Sequence, residues 1–266
     1  MIDWQGQVAL VTGGASGIGR ALAEALAARG ATLIIADIDS SGAHDVAEAT
    51  GGAALTVDLS EPGAAAALVE RAYALTGRVD FIASNAGMGG GPGARRLLKA
   101  EIDAPRVAKM FEVNMFAAIR LAQAWVPRLE AAGTRGRLMI TGSENSLSVP
   151  DAVKGFGLGL YGASKHGILV LAEWLRGECE GGNKPLDVSI LLPGGVYTGM
   201  TADGLGPDPE KWPQAMGIIR PEVAAAIALH GLDEGLFYIP THRHLGDDIE
   251  PRYRGIKEAL CRLDIA

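Results

Sequence analysis

The sequence predicts an α/β protein built on one doubly wound parallel sheet of about seven strands, with helices on both faces. Three observations carry that expectation. Short apolar runs alternate with helix-periodic stretches from one end of the chain to the other. The runs are apolar at every position rather than at every second one, as in strands covered on both faces. A glycine-rich turn directly follows the first run, and the carboxyl ends of the strands are where sheets of this kind bind ligands.

Val8–Val11 reads as the first strand. Residues 18–29 follow with Ile18, Leu22, Ala25 and Leu26 at helical spacing, and Gly30 stands at the stop. Leu33–Ala36 and Ala54–Val57 read as the second and third strands. A helix over 63–76 sets Leu68, Ala72 and Leu75 on one face, and Val79–Ala83 is the fourth strand. One long helix is expected over 104–131, striped by Val107, Met110, Phe111, Met115, Ala118, Leu121, Ala122 and Trp125. Leu138–Ile140 is the fifth strand, a helix over 161–176 carries Ile168, Leu171 and Leu175, and Val188–Leu192 is the sixth strand. Pro221 suits the first position of a further helix, and Leu236–Ile239 closes the sheet. The alternation continues past Gly89-Gly90-Gly91-Pro92-Gly93, so residues 1–266 read as one domain, with a substrate lid around 195–218.

Composition narrows the function. A chain of 266 residues that is 48% hydrophobic can build a core, which excludes disorder as a description of the whole. The net charge is −7 and the basic residues are scattered, so neither nucleic acid nor an anionic membrane surface is an expected partner. No apolar run approaches the roughly 18 residues of a membrane span. The N-terminus lacks a secretory pattern. Cys179 and Cys261 make no disulfide framework, which points to a reducing cytoplasm.

The turn after the first strand reads Thr12-Gly13-Gly14-Ala15-Ser16-Gly17-Ile18-Gly19. Glycines between strand and helix let backbone N–H groups approach a pyrophosphate, and the helix N-terminus adds about half a positive charge. Gly13, Ser16, Gly17, Ile18 and Gly19 are therefore candidate cofactor residues, in a turn spaced G-x-x-x-G-x-G rather than the G-x-G-x-x-G of the commonest dinucleotide fingerprint. Asp37 ends the second strand, where an acid meets the adenosine ribose and repels a 2′-phosphate. NAD is thus expected over NADP. Tyr161 and Lys165 stand one helical turn apart. A phenol has a pKa near 10, and bringing it to neutrality takes roughly 4 kcal/mol, part of which a neighbouring ammonium can supply. Such a tyrosine exchanges a proton with an alcohol or ketone oxygen.

In these motifs and their order, the sequence resembles the short-chain dehydrogenase/reductase family over essentially its whole length. The resemblance implies a hydride transfer between a nicotinamide cofactor and a carbinol carbon, with Tyr161 and Lys165 as the catalytic pair. It also implies that Asp58, with Leu59, lies at the adenine and that Asn85-Ala86-Gly87 supports the cofactor site. Pro193, Gly194, Val196 and Thr198 would hold the nicotinamide end. Asn114 would hold a water near the lysine. The catalytic serine should follow the fifth strand. Ser143 has the strand position and is preferred, Ser148 has the usual spacing to the tyrosine, and Ser146 lies between them. No catalytic metal is required, and the family implies a homotetramer or a homodimer, with the 104–131 stripe and the Tyr161 helix as candidate interfaces.

Substrate identity should lie in Met88–Gly93, Glu144–Leu160 and Gly199–Met216. The second and third are mainly apolar, and Met200, Leu205, Trp212 and Met216 suit a hydrophobic or aromatic alcohol or ketone. The alternatives are an NADP-dependent carbonyl reductase and a nucleotide-binding interaction protein without turnover. His242 and His244 would share a face if the last strand continued, but they are expected to pack a loop rather than bind metal. His166 is expected to be structural.

Overall fold

All seven apolar runs form strands, and every pairing is parallel, in a computed structural model that describes residues 1–91 and 96–264. The strands are β1 (Val8–Thr12), β2 (Thr32–Asp37), β3 (Ala53–Thr56), β4 (Phe81–Ser84), β5 (Gly136–Thr141), β6 (Leu186–Leu192) and β7 (Tyr238–Pro240). Their order is β3-β2-β1-β4-β5-β6-β7. The order reverses between β1 and β4, the kind of switch point outside whose strand carboxyl ends sheets of this type bind ligands.

Alternate strand residues feed two cores. Leu10, Ile34, Ile82, Leu138 and Ile190 point into the layer of α3 (Ala64–Thr76), α5 (Ala117–Ala132) and α6 (Gly159–Gly181). Val11, Ile35, Phe81, Met139 and Leu191 point into the layer of α1 (Gly17–Ala28), α2 (Ser40–Thr50) and α8 (Pro221–Asp233). Full burial of such side chains contributes about 1.5–3 kcal/mol each. Trp4 extends the second core by packing edge-on against Phe81, with ring centres 5.2 Å apart.

The helix expected over 104–131 is not continuous. It comprises α4 (Pro105–Phe111), a π-helical turn (Glu112–Phe116) and α5. The stripe that was a candidate interface is mostly core, with Val107, Met110, Leu121 and Trp125 buried inside the chain. Among the described residues, three α-helices have no counterpart in the sequence reading: α2, the short α7 (Gly199–Leu205) in the lid region, and α9 (His244–Arg262) after β7. α2 buries only Ala43, Val46 and Ala47, too narrow an apolar face to announce itself, and it is fixed by its cap, where Asp39 Oδ1 accepts from the Gly42 N–H. The Met88–Gly93 segment falls partly outside the described residues. No helix among the described residues is long and apolar enough to cross a membrane.

Candidate active site

The turn between β1 and α1 is shaped by what its glycines leave out. Gly13 has φ +64°, and a Cβ there would lie 2.8 Å from Ala86 Cα. A Cβ on Gly19 would lie 2.1 Å from the Gly13 carbonyl oxygen, and one on Gly17 (φ +54°) would press on Thr198. Ser16 occupies the N-cap of α1 without making a side-chain cap bond, and no acid lies in the first turn. The first N–H groups of this helix are therefore left for an external anion, which fits a pyrophosphate. Ile18 is half-buried in that first turn.

Asp37 stands at the rim of this cradle. Its Oδ2 accepts from the Ala15 N–H at 3.0 Å and its Oδ1 from the Asp39 N–H at 3.0 Å, so the carboxylate is held against the glycine turn. The neighbouring Ile38 is exposed and no cation stands at Ser16. Asp58 accepts from both the N–H and the hydroxyl of Ser60, with Lys109 at 3.3 Å, and these bonds hold its carboxyl below the usual value. Leu59 beside it is buried.

A polar chain ties the turn to α6, which carries Tyr161 and Lys165. The N–H groups of Asn85 and Ala86 donate to Thr12 Oγ1, and Asn85 Nδ2 donates to the Gly13 carbonyl. Thr141 donates to Asn85 Oδ1, and Lys165 Nζ donates to the Thr141 carbonyl at 2.8 Å. Asn114 sits in the π-helical turn, a device that recurs at functional sites. Its Oδ1 accepts from the Met88 N–H, and its Nδ2 donates to the Met88 carbonyl and to Ser164 Oγ. A Cβ on Gly87 would lie 3.4 Å from Asn114 Oδ1 and 3.6 Å from Lys165 Nζ, so the two side chains converge there.

Tyr161 and Lys165 lie on one face of α6, with Lys165 Nζ 5.8 Å from the centre of the tyrosine ring. Of the three candidate serines, Ser143 is the one that acts on the Tyr161 phenol, favouring its ionised form, while its hydroxyl accepts from the Asn145 N–H at 3.1 Å. Ser146 Oγ instead accepts from the Ser143 N–H at 3.0 Å, and Ser148 Oγ is buried without a partner. The acidity expected from the lysine is not what the protein groups alone produce. Burial dominates and pushes Tyr161 up to about 12, against the Ser143 bond and with the Glu144 carboxylate adding to the rise. Burial likewise brings the Lys165 ammonium down to about 8.

At the segment expected to hold the nicotinamide, the Pro193 carbonyl accepts from the Glu144 N–H and fixes the loop that carries Ser143. Thr198 caps α7, and Val196, buried, bridges to Ile219 at the far end of the lid region. The two histidines after β7 have defined partners. His242 Nδ1 accepts from the Gly194 N–H at 3.2 Å while its Nε2–H donates to the Gly217 carbonyl at 3.0 Å, so the ring braces the lid base; burial holds it below its usual pKa. His244 Nε2 lies 3.0 Å from Glu144 Oε2 and 3.9 Å from Asp248 Oδ2. Glu144 precedes this partner by 100 residues, so no local pattern could have signalled the pair. His166 donates from Nδ1 to the Gly162 carbonyl and accepts at Nε2 from Arg252, as befits a structural residue.

A strand order that reverses above a glycine-lined turn, with a half-buried phenol and a buried amine beside it, belongs to a Rossmann-type oxidoreductase. Comparison with known proteins narrows this class. The family model described as short chain dehydrogenase matches residues 7–205. A 1-deoxy-11-beta-hydroxypentalenate dehydrogenase of Streptomyces avermitilis is 35% identical, covering 94% of this chain and 91% of its own. A short-chain dehydrogenase/reductase from Burkholderia phymatum, solved in complex with NAD, superposes with a TM-score of 0.83 at 24% identity over 97% of each chain. A short-chain dehydrogenase from Sphingobium yanoikuyae, solved with NADPH, gives 0.71 at 27% identity over 97% of this chain and 94% of that one. The chain belongs to the short-chain dehydrogenase/reductase family.

Proposed function

We propose that the protein is an NAD-dependent oxidoreductase that moves a hydride between nicotinamide and a secondary alcohol or ketone, hydrophobic or aromatic in character. The observation that carries this reading is the convergence of Ser143 and Lys165 on Tyr161, beside a glycine cradle with Asp37 at its rim. When bound, the cofactor supplies the hydride donor or acceptor at the nicotinamide ring and, in its oxidised form, a positive charge.

The chain supplies the rest. Gly13, Ser16, Gly17, Ile18 and Gly19 take the pyrophosphate, Asp37 takes the ribose hydroxyls, and Asp58 and Leu59 face the adenine. Asn85, Ala86, Gly87, Pro193, Gly194, Val196 and Thr198 frame the remainder. Ser143 donates to the substrate oxygen, and Tyr161 takes or returns its proton. Lys165 binds the nicotinamide ribose and favours the phenolate, and Asn114 with a water passes protons outward. Segment 195–218 acts as a lid, hinged near the Val196–Ile219 bridge and walled by Trp212 stacked on Tyr197 at 4.6 Å.

Support for an apolar substrate comes from exposed apolar side chains in two of the segments expected to line the substrate: Val149, Phe156 and Met200. The Streptomyces relative is by its name a dehydrogenase of a hydroxylated compound, which agrees with this direction of chemistry. The NADPH bound to the Sphingobium neighbour favours the second reading, a carbonyl reductase using NADP. We also place the enzyme in the cytoplasm as a homotetramer or homodimer; the exposed Val170 and Trp174 on α6 and Phe116 on the π-helical turn support association. The test is a steady-state screen at 340 nm of NAD and NADP against aliphatic, aromatic, steroid and polyol alcohols and their ketones. Turnover with NAD on an apolar alcohol is expected. Cofactor binding without any turnover across the panel would revive the non-catalytic alternative.

A further inference from the structure

Helix α9 leaves the body of the protein. Leu245 is buried at its root, His244 pairs with Glu144, and Arg252 donates to the Leu147 carbonyl and to His166. From Ile249 to Asp264 every residue is exposed. A helix of this length standing in water without a packing partner is marginal. Yet one side of it carries Ile249, Tyr253, Ile256, Leu260 and Leu263, each at least two-fifths exposed. Their spacing of four, three, four and three residues is that of a coiled-coil seam.

The flanking charges indicate what covers the seam. Asp247, Asp248 and Glu250 lie in the first half of α9, and Arg254, Lys257 and Arg262 in the second; the exceptions are Arg252, whose guanidinium is turned to Leu147 and His166, Glu258 and Asp264. Two copies side by side in parallel would place like charges together. Two antiparallel copies place the acidic half of each against the basic half of the other and also oppose their helix dipoles favourably. Centred between Arg254 and Gly255, such a pairing sets Ile249 against Leu260 and Tyr253 against Ile256 of the second copy, with Glu250 beside Lys257 at both ends.

We propose that the seam on α9 is a self-association site, filled by α9 of a second copy of this chain in antiparallel orientation. The inference does not depend on the chemistry assigned to the active site. Because the root of α9 is bonded to Glu144 and Leu147, the pairing would also anchor the loop that carries Ser143.

The test uses the full chain in a Cys261→Ser background. Ile249→Cys and Leu260→Cys proteins are oxidised separately and as a mixture. In the antiparallel pair, residue 249 meets 260, while 249 and its own copy lie about 16 Å apart along the helix, beyond disulfide reach. Cross-linked dimer is therefore expected from the mixture and not from either protein alone. Ile256→Glu should fold as the wild type by circular dichroism, the position being exposed, and should weaken self-association by about a hundredfold in sedimentation. The proposal is overturned by a mixture that does not cross-link, by either protein cross-linking on its own as well as the mixture does, or by an Ile256→Glu protein that associates as tightly as the wild type.

Discussion

Lys165 offers a quantitative check on the electrostatics of the site. Its Nζ is buried, donates to the Thr141 carbonyl and is brought from the usual 10.5 down to about 8 by desolvation. At about 1.4 kcal/mol per pH unit, that gap is worth about 3 kcal/mol. In the unfolded chain the lysine keeps its proton until pH 10.5, whereas in the folded chain it releases it near 8. Between these values the unfolded state binds more protons, so this group makes stability rise with pH across that window. Below pH 8 the folded protein carries a buried ammonium whose desolvation is offset only in part. Lys165→Met removes the titration while keeping much of the volume. Urea unfolding of both proteins without cofactor, at one protein concentration and at steps from pH 7.5 to 10.5, isolates the effect, because other groups titrate alike in both. The wild type should gain about 3 kcal/mol relative to the variant over that range. Parallel stability profiles would mean that the ammonium is solvated as an ordinary lysine is, and the buried-site argument would fail.

Three further outcomes follow from the geometry. Asp37→Ala should relax the preference for NAD by about tenfold in the ratio of kcat/KM values for the two cofactors, equivalent to about 1.4 kcal/mol of lost repulsion, and an unchanged ratio would place the selectivity elsewhere. Gly19→Ala forces a methyl group to 2.1 Å from the Gly13 carbonyl oxygen, so calorimetry should find cofactor affinity lowered by at least about tenfold; wild-type affinity would show that the turn is not the cradle. Ser143→Ala should cut kcat by about a hundredfold or more, whereas Ser148→Ala should leave it within a few fold, and the reverse pattern would reassign the serine.

Much of the fold was legible because burial on both faces writes strands as unbroken apolar runs: Val8–Val11 and Val188–Leu192 need no partner to be read. The glycine turn was equally legible, since Gly13 and Gly19 are demanded by local backbone and by close contact. What escaped was decided by long-range or narrow signals. α2 hides behind three small buried residues and a cap. The break at Glu112–Phe116 was invisible because the apolar stripe runs through it, although Asn114 within the stripe marked the place. The seam of α9 lies at 4–3 spacing but is masked in the sequence by the charges interleaved with it. The phenol's rise to about 12 could not be foreseen from a neighbouring lysine, because burial exists only in the folded chain.

The measurement that bears most directly on the account is turnover of Tyr161→Phe, read at 340 nm on the best substrate of the screen, alongside the cofactor dissociation constant by calorimetry. Loss of the hydroxyl should lower kcat by about a thousandfold or more while cofactor affinity stays within about threefold. Turnover retained at the wild-type level would remove Tyr161 from proton transfer and contradict the mechanism built on it.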